Sequence, residues 1–145
     1  FLDQSLVLGY WSGEGKRSYH HTAPVNSLYA LHESLVLLKN EGLDNAWSRH
    51  HAMHQELKEG VEALGLKFVV DEESRLPQLN TLYFPEGIDE AKVRTQLLEE
   101  YNLEIGAGLG SLAGKAWRIG LMGYGARKEN VALCLKALKD VLYQS

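Results

Sequence analysis

Arg118 is the residue whose sequence setting most invites chemistry. It sits in Ala116 to Met122, an apolar stretch that reads as a β-strand. Side chains alternate between the two faces of a strand. Trp117, Ile119 and Leu121 therefore share one apolar face, and Ala116, Arg118, Gly120 and Met122 share the other. Ala116 and Gly120 are among the smallest residues, which leaves open space around a guanidinium whose planar fork suits a carboxylate. The same pattern fits an edge-strand arginine in a surface ion pair, because alternation routinely turns polar residues outward. A second group is Tyr19-His20-His21-Thr22, just before Pro24. It places hydroxyl and imidazole groups at a loop-to-helix junction, where free backbone N–H groups and the helix dipole favour an anion. A phosphate there could accept from Tyr19 and Thr22. The commoner arrangement has Thr22 simply capping the helix.

Other signals fail on inspection. His50, His51 and His54 include two histidines four apart on a helix, a zinc-ligand spacing, but there is no HExxH arrangement and no third ligand in a convincing place. His54 lies on the apolar stripe and reads as a packed, hydrogen-bonded residue. Gly108-Leu109-Gly110-Ser111-Leu112-Ala113 formally fits GxGxxA, yet a strand follows where a pyrophosphate-binding helix belongs. Gly114-Lys115 fails the phosphate-loop pattern at both ends. These glycines read as a tight turn with close backbone approach. Cys134 has no histidine at helical spacing to activate it and reads as a small core residue.

The elements that must position these residues follow from periodicity. Leu28, Leu31, Leu35 and Leu38 after Pro24 predict a helix that ends at Gly42. Asp44 is the expected cap of a second helix, with Trp47, Leu57, Val61 and Leu64 as its apolar stripe, His51 and His54 on the same face, and Gly65 as its stop. Short strands are expected at Phe68–Val70, Thr81–Phe84, Leu103–Ile105 and Ala116–Met122. Helices are expected over Ile88–Tyr101, with Asp89 as cap, and over Arg127–Tyr143, with Val131, Leu135, Leu138 and Leu142 inward. Asp3 to Trp11 has no clear period, and Ser12 to Ser18 reads as an exposed loop. Helices mixed with a few short strands, without strict alternation, predict an α+β layer rather than a doubly wound sheet.

Bulk properties narrow the function classes. The 145 residues suffice for one compact domain, and 45% hydrophobic with 23% charged residues is ordinary for a soluble protein. A net charge of -4, with no basic cluster larger than Lys16-Arg17 or Arg127-Lys128, argues against a nucleic-acid partner. No apolar run is long enough for a bilayer, so no membrane partner is expected. The single cysteine excludes an internal disulfide and fits a reducing compartment, the cytoplasm or an organelle. The chain opens at Phe1 instead of a methionine, as a piece of a longer protein would.

Tyr19-His20-His21-Thr22-Ala23-Pro24-Val25, followed by Ser27–Leu31 and Glu33-Ser34-Leu35, resembles a signature of class V, fold-type I aminotransferases. The similarity continues through Gly42-Leu43, Trp47, Arg49-His50, Leu64–Leu66, Arg75–Pro77, Glu104-Ile105, Gly108–Gly110, Gly114-Lys115, Arg118–Gly123 and Glu129–Val131. Within the class it is most similar to the alanine–glyoxylate and serine–glyoxylate or serine–pyruvate enzymes. The resemblance implies that residues 1–38 end the large cofactor-binding domain. Residues 39–145 would form the small C-terminal domain, a short, mainly antiparallel sheet with helices on one face. It implies pyridoxal 5'-phosphate as cofactor, small amino acids and oxo acids as substrates, and a homodimer whose active sites are shared across the interface. Arg118 would bind the substrate's α-carboxylate. Tyr19 and Thr22 would reach across the dimer to the cofactor phosphate in the partner's site.

The lysine that bonds the cofactor in such enzymes, with the aspartate and aromatic that hold its ring, belongs upstream of Phe1. The chain alone is therefore expected to be inactive. A catalytically silent α+β interaction module built on the same fold is the rival expectation. Another class V enzyme such as a lyase is a further one, weakened by the lack of a cysteine in an exposed loop. The coding sequence upstream of Phe1 separates enzyme from module.

Overall fold

The computed structural model describes residues 3–10 and 19–143. The loop expected at Ser12–Ser18, with Lys16-Arg17, lies outside them. The chain divides into two compact units, Phe1–Gly42 and Leu43–Ser145.

The first unit holds two helices. Helix α1, Gln4–Leu8, begins where the Asp3 carboxylate accepts the Ser5 amide at 2.9 Å. One and a half turns are too short to carry a period, so composition gave no sign of it. Helix α2, Val25–Glu41, follows Pro24, and Gly42 closes it at φ 84° with its amide on the Leu38 carbonyl. The predicted leucine stripe does form a helix, but none of its residues is buried.

The second unit is the α+β layer. Helix α3 spans Leu43–Ala63. It starts one residue before Asp44, which therefore stands in the first turn near the positive end of the dipole rather than at the cap. The buried face also differs from expectation: Ala46, His54, Leu57 and Val61 are inside, whereas Trp47 and His51 are exposed. Ala46 precedes Leu57 by about three whole turns, so it stands over that leucine, and Trp47 is rotated off the stripe. Gly65, at φ +73°, ends α3 with the amide of Gly65 on Glu62 and that of Leu66 on Val61.

Strands β1 (Lys67–Phe68), β2 (Leu79–Tyr83), β3 (Gly106–Ala107) and β4 (Ala116–Gly120) form one antiparallel sheet in the order β1-β2-β4-β3. Helix α4, Glu90–Tyr101, begins at the expected Asp89, whose carboxylate accepts the Lys92 amide. The expected strand at Leu103–Ile105 is displaced. The Leu103 amide turns back to the Leu97 carbonyl, Ile105 enters the core, and pairing starts only at Gly106. Helix α5 is Lys128–Tyr143.

The core lies between one sheet face and the three helices. Leu82, Trp117 and Ile119 meet Leu57 and Val61 of α3, Val93 and Leu97 of α4, and Val131, Cys134 and Leu138 of α5. Burial pushes the Cys134 thiol up to about 12. At pH 8 its thiolate is then present on the order of one part in ten thousand. Cys134 is expected to stay unlabelled by iodoacetamide in the folded chain and to react on denaturation. Rapid labelling of the native protein would contradict its place in the core.

Among the described residues no helix is long and apolar enough to cross a membrane.

Candidate functional site

Strand β4 is central, with β2 on one side and β3 on the other, so Arg118 is not on an edge. Alternation turns Trp117 and Ile119 into the core and leaves Arg118, half-buried, on the sheet face opposite α3, α4 and α5. Four small residues surround it on that face. Ala116 and Gly120 flank it along the strand, Thr81 stands opposite on β2, and Gly106 stands opposite on β3. Leu79 and Tyr83, both exposed, share this face further along β2.

The guanidinium lies toward β3. Its Nε donates to the Ala107 carbonyl at 2.7 Å. A Cβ on Gly106 would stand 3.2 Å from Nη2, so the missing side chain is part of the space the arginine occupies. Among the described residues no carboxylate lies within ion-pair distance of Arg118, and its Nη groups meet no acceptor. The surface-ion-pair arrangement is thus absent there. What the second unit presents is a fixed cation whose Nη groups meet no acceptor among the described residues, on the sheet face opposite α3, α4 and α5. A carboxylate is the ligand whose two oxygens match that fork.

The Tyr19–Thr22 segment belongs to the first unit. Thr22 does not cap α2: its hydroxyl is hydrogen-bonded to that of Tyr19. The N-cap position is Pro24, which has no side-chain donor or acceptor, and α2 has no side-chain cap. Among the described residues the amides of Asn26 and Ser27 meet no acceptor, whereas those of Val25 and Leu28 bond to the Ala23 and Pro24 carbonyls. A shallow depression of ≈ 440 Å³ is lined by Thr22, Ala23, Pro24, Val25, Asn26 and Ser27. Two hydroxyls and two free amides at the positive end of a 17-residue helix suit an anion with several acceptor oxygens.

The histidines on α3 have structural partners. His54 is buried, with Nδ1 2.7 Å from the Asn80 Oδ1, as its place on the apolar stripe predicted. His50 bridges the Ala46 carbonyl, through Nδ1, and the Gly123 amide, which donates to Nε2 at 3.0 Å. With Nε2 accepting, Nδ1 is the nitrogen that donates to the Ala46 carbonyl. Arg49 adds two bonds to the same loop, from Nη1 to the Gly123 and Ala126 carbonyls. The glycine-rich loop folds back on itself: Gly108 is buried, and a 3-10 turn, Gly110–Leu112, packs directly over it.

Sequence reasoning located Arg118 and its two neighbours along the strand, because alternation is local. It missed Thr81, Gly106 and the Ala107 carbonyl, which reach the site only through strand pairing.

Comparison with known proteins agrees with this architecture. The family model described as aminotransferase class-V matches residues 5–131. The chain is 43% identical over 144 residues to an alanine–glyoxylate aminotransferase of Callithrix jacchus, covering 98% of this chain and 35% of that protein. It is 41% identical over 142 residues to an (S)-ureidoglycine–glyoxylate transaminase of Bacillus subtilis, covering 98% of this chain and 34% of that protein. The solved structure of an alanine–glyoxylate aminotransferase from Nostoc sp. superposes with a TM-score of 0.88 at 50% identity, over 97% of this chain and 37% of that one. The chain thus spans about a third of the length of the relatives it matches. With the profile matching most of its length, this chain belongs to the class-V aminotransferase family.

Proposed function

We propose that this chain is the C-terminal part of a pyridoxal 5'-phosphate-dependent aminotransferase that moves an amino group from a small amino acid, alanine or serine, to glyoxylate by a ping-pong route. The observation that carries this reading is the Arg118 guanidinium, held by the Ala107 carbonyl on the sheet face opposite α3, α4 and α5, with its Nη groups meeting no acceptor among the described residues. Glyoxylate occurs in the names of both relatives above, while the donors differ. The group that donor and acceptor share is a carboxylate, and a carboxylate is what Arg118 would hold in both half-reactions. Its role is positional. By fixing one end of the substrate it places the α-carbon at the reacting centre and limits the poses available there.

The residues at the start of α2 fit the cofactor's phosphate. Tyr19 and Thr22 offer hydroxyls, and Asn26 and Ser27 offer free amides, so a dianion could be met without a lysine. When bound, the cofactor supplies the electron sink that the bond-breaking at the substrate α-carbon needs. In this reading Tyr19 and Thr22 serve the active site of the partner in a homodimer. Residues 1–38 end the large domain, and the exposed leucines of α2 are a surface that domain and dimer would cover. The compartment is a reducing one, cytoplasmic or organellar, in keeping with a lone core cysteine.

The test is an assay of the protein carrying its complete large domain, with alanine and serine as donors and glyoxylate as acceptor. Amino transfer to glyoxylate is expected from at least one donor, and none from the 145-residue chain by itself. Failure of the long protein with every donor, or turnover by the short chain alone, would contradict the reading.

A further inference from the structure

We infer that the Tyr10 hydroxyl is the positioning group of the phosphate site, tethering the Tyr19–Thr22 segment through its backbone; this rests on the reading of Tyr19 and Thr22 given above. Tyr10 lies two residues beyond α1. Its oxygen accepts the amide hydrogens of His20 at 2.7 Å and His21 at 2.8 Å, and its own hydrogen goes to the His21 carbonyl at 2.9 Å. A phenol oxygen has one hydrogen to give and two lone pairs to offer. All three are engaged by one two-residue stretch of backbone. The ring meets His21 edge-on, with centroids 6.3 Å apart.

The placement of that stretch gives the tether its meaning. His20 and His21 are the residues between Tyr19 and Thr22, whose hydroxyls bond each other. That bond, and the contact between the two histidine rings at 2.7 Å, are internal to the segment and do not anchor it. The Tyr10 bonds reach it from ten and eleven positions upstream. They satisfy two adjacent amides and one carbonyl, one group from each of the three successive peptide units that run from Tyr19 to Thr22. With those three units held, the hydroxyls of Tyr19 and Thr22 have a defined origin from which to meet a phosphate. Tyr10 touches no substrate in this account and acts only through the segment it holds. Nothing in local sequence pointed to it, since a tyrosine after a short helix has no distinguishing spacing.

Tyr10→Phe removes the oxygen and keeps the ring, so the experiment reads the tether alone. The apoprotein with its complete large domain is titrated with pyridoxal 5'-phosphate and, separately, with pyridoxal, which has the same aldehyde ring and no phosphate. Absorbance of the bound ring gives both dissociation constants. Tyr10→Phe is expected to weaken pyridoxal 5'-phosphate about five- to tenfold, the loss of two or three modest hydrogen bonds, and to leave pyridoxal unchanged. Thr22→Ala serves as the companion variant. If it weakens the phosphate form and Tyr10→Phe does not, the tether is wrong and the phosphate site stands. If neither variant separates the two ligands, the phosphate site and the tether both fail. Equal weakening of both ligands by Tyr10→Phe assigns Tyr10 to general folding and overturns the inference.

Discussion

Arg118→Ala, in the protein with its complete large domain, is expected to raise KM for the amino donor and for glyoxylate alike and to lower kcat/KM for each by roughly ten- to hundredfold. The magnitude follows from losing a charge-assisted pair worth about 1.5–3 kcal/mol, where about 1.4 kcal/mol is a factor of ten. Both substrates would be affected, because in the proposed reading both present a carboxylate to the same fork. Arg118→Lys keeps the charge but loses the planar pair of donors and the Nε bond to Ala107, so it should recover only part of the loss. Stability should hardly change, since the side chain is half-buried and makes one hydrogen bond within the fold. Unaltered steady-state kinetics in Arg118→Ala would remove this residue from the reaction.

The second large effect is on folding. Gly108→Ala places a Cβ 2.0 Å from the Leu112 carbonyl oxygen, 2.7 Å from its carbon and 3.1 Å from the Ala116 oxygen. All three atoms are backbone, so no side-chain rotation relieves the clash. Either the Gly110–Leu112 turn lifts off or the end of β4 moves, and the bond from the Gly108 amide to the Ala116 carbonyl, 2.7 Å, goes with it. Overpacking of this kind costs about 1–3 kcal/mol and sometimes more. For a unit of this size that lowers Tm by on the order of 10 °C. Gly125→Ala is the control: its Cβ would meet nothing within 4 Å, and its backbone is not left-handed. That variant should melt with the wild type or slightly above it. Equal melting of Gly108→Ala and wild type would show that the loop does not pack as described.

Local rules reached far into this fold. Asp89, Gly42 and Gly65 mark helix ends through chemistry confined to a few residues, and each does so in the structure. The long helices α2, α4 and α5 were legible for the same reason, as was the inward turn of Trp117 and Ile119. The phase of α3 was not, because Trp47 was read by hydrophobicity and nothing local reveals that Ala46 faces the core. Two-residue strands such as β1 and β3 have no period to read, and the apolar Leu103–Ile105 stretch drew the expectation away from Gly106. At the site, alternation exposed Arg118, Ala116 and Gly120. Thr81 and Gly106 depended on register, and Tyr10 on a contact across ten positions. Thr22 shows the converse: a capping residue by type, it bonds Tyr19 instead and leaves α2 open at its start.

The proposed role of Arg118 is tested most directly in the protein with its complete large domain, by its preference for alanine over ethylamine, which has the same amine and methyl with hydrogen in place of the carboxylate. Single-turnover rates for both amines would be compared in the wild type and in Arg118→Ala. The wild type should favour alanine strongly, and the variant should lose most of that preference because alanine slows while ethylamine does not. A preference that survives the substitution intact would mean that some other group receives the carboxylate.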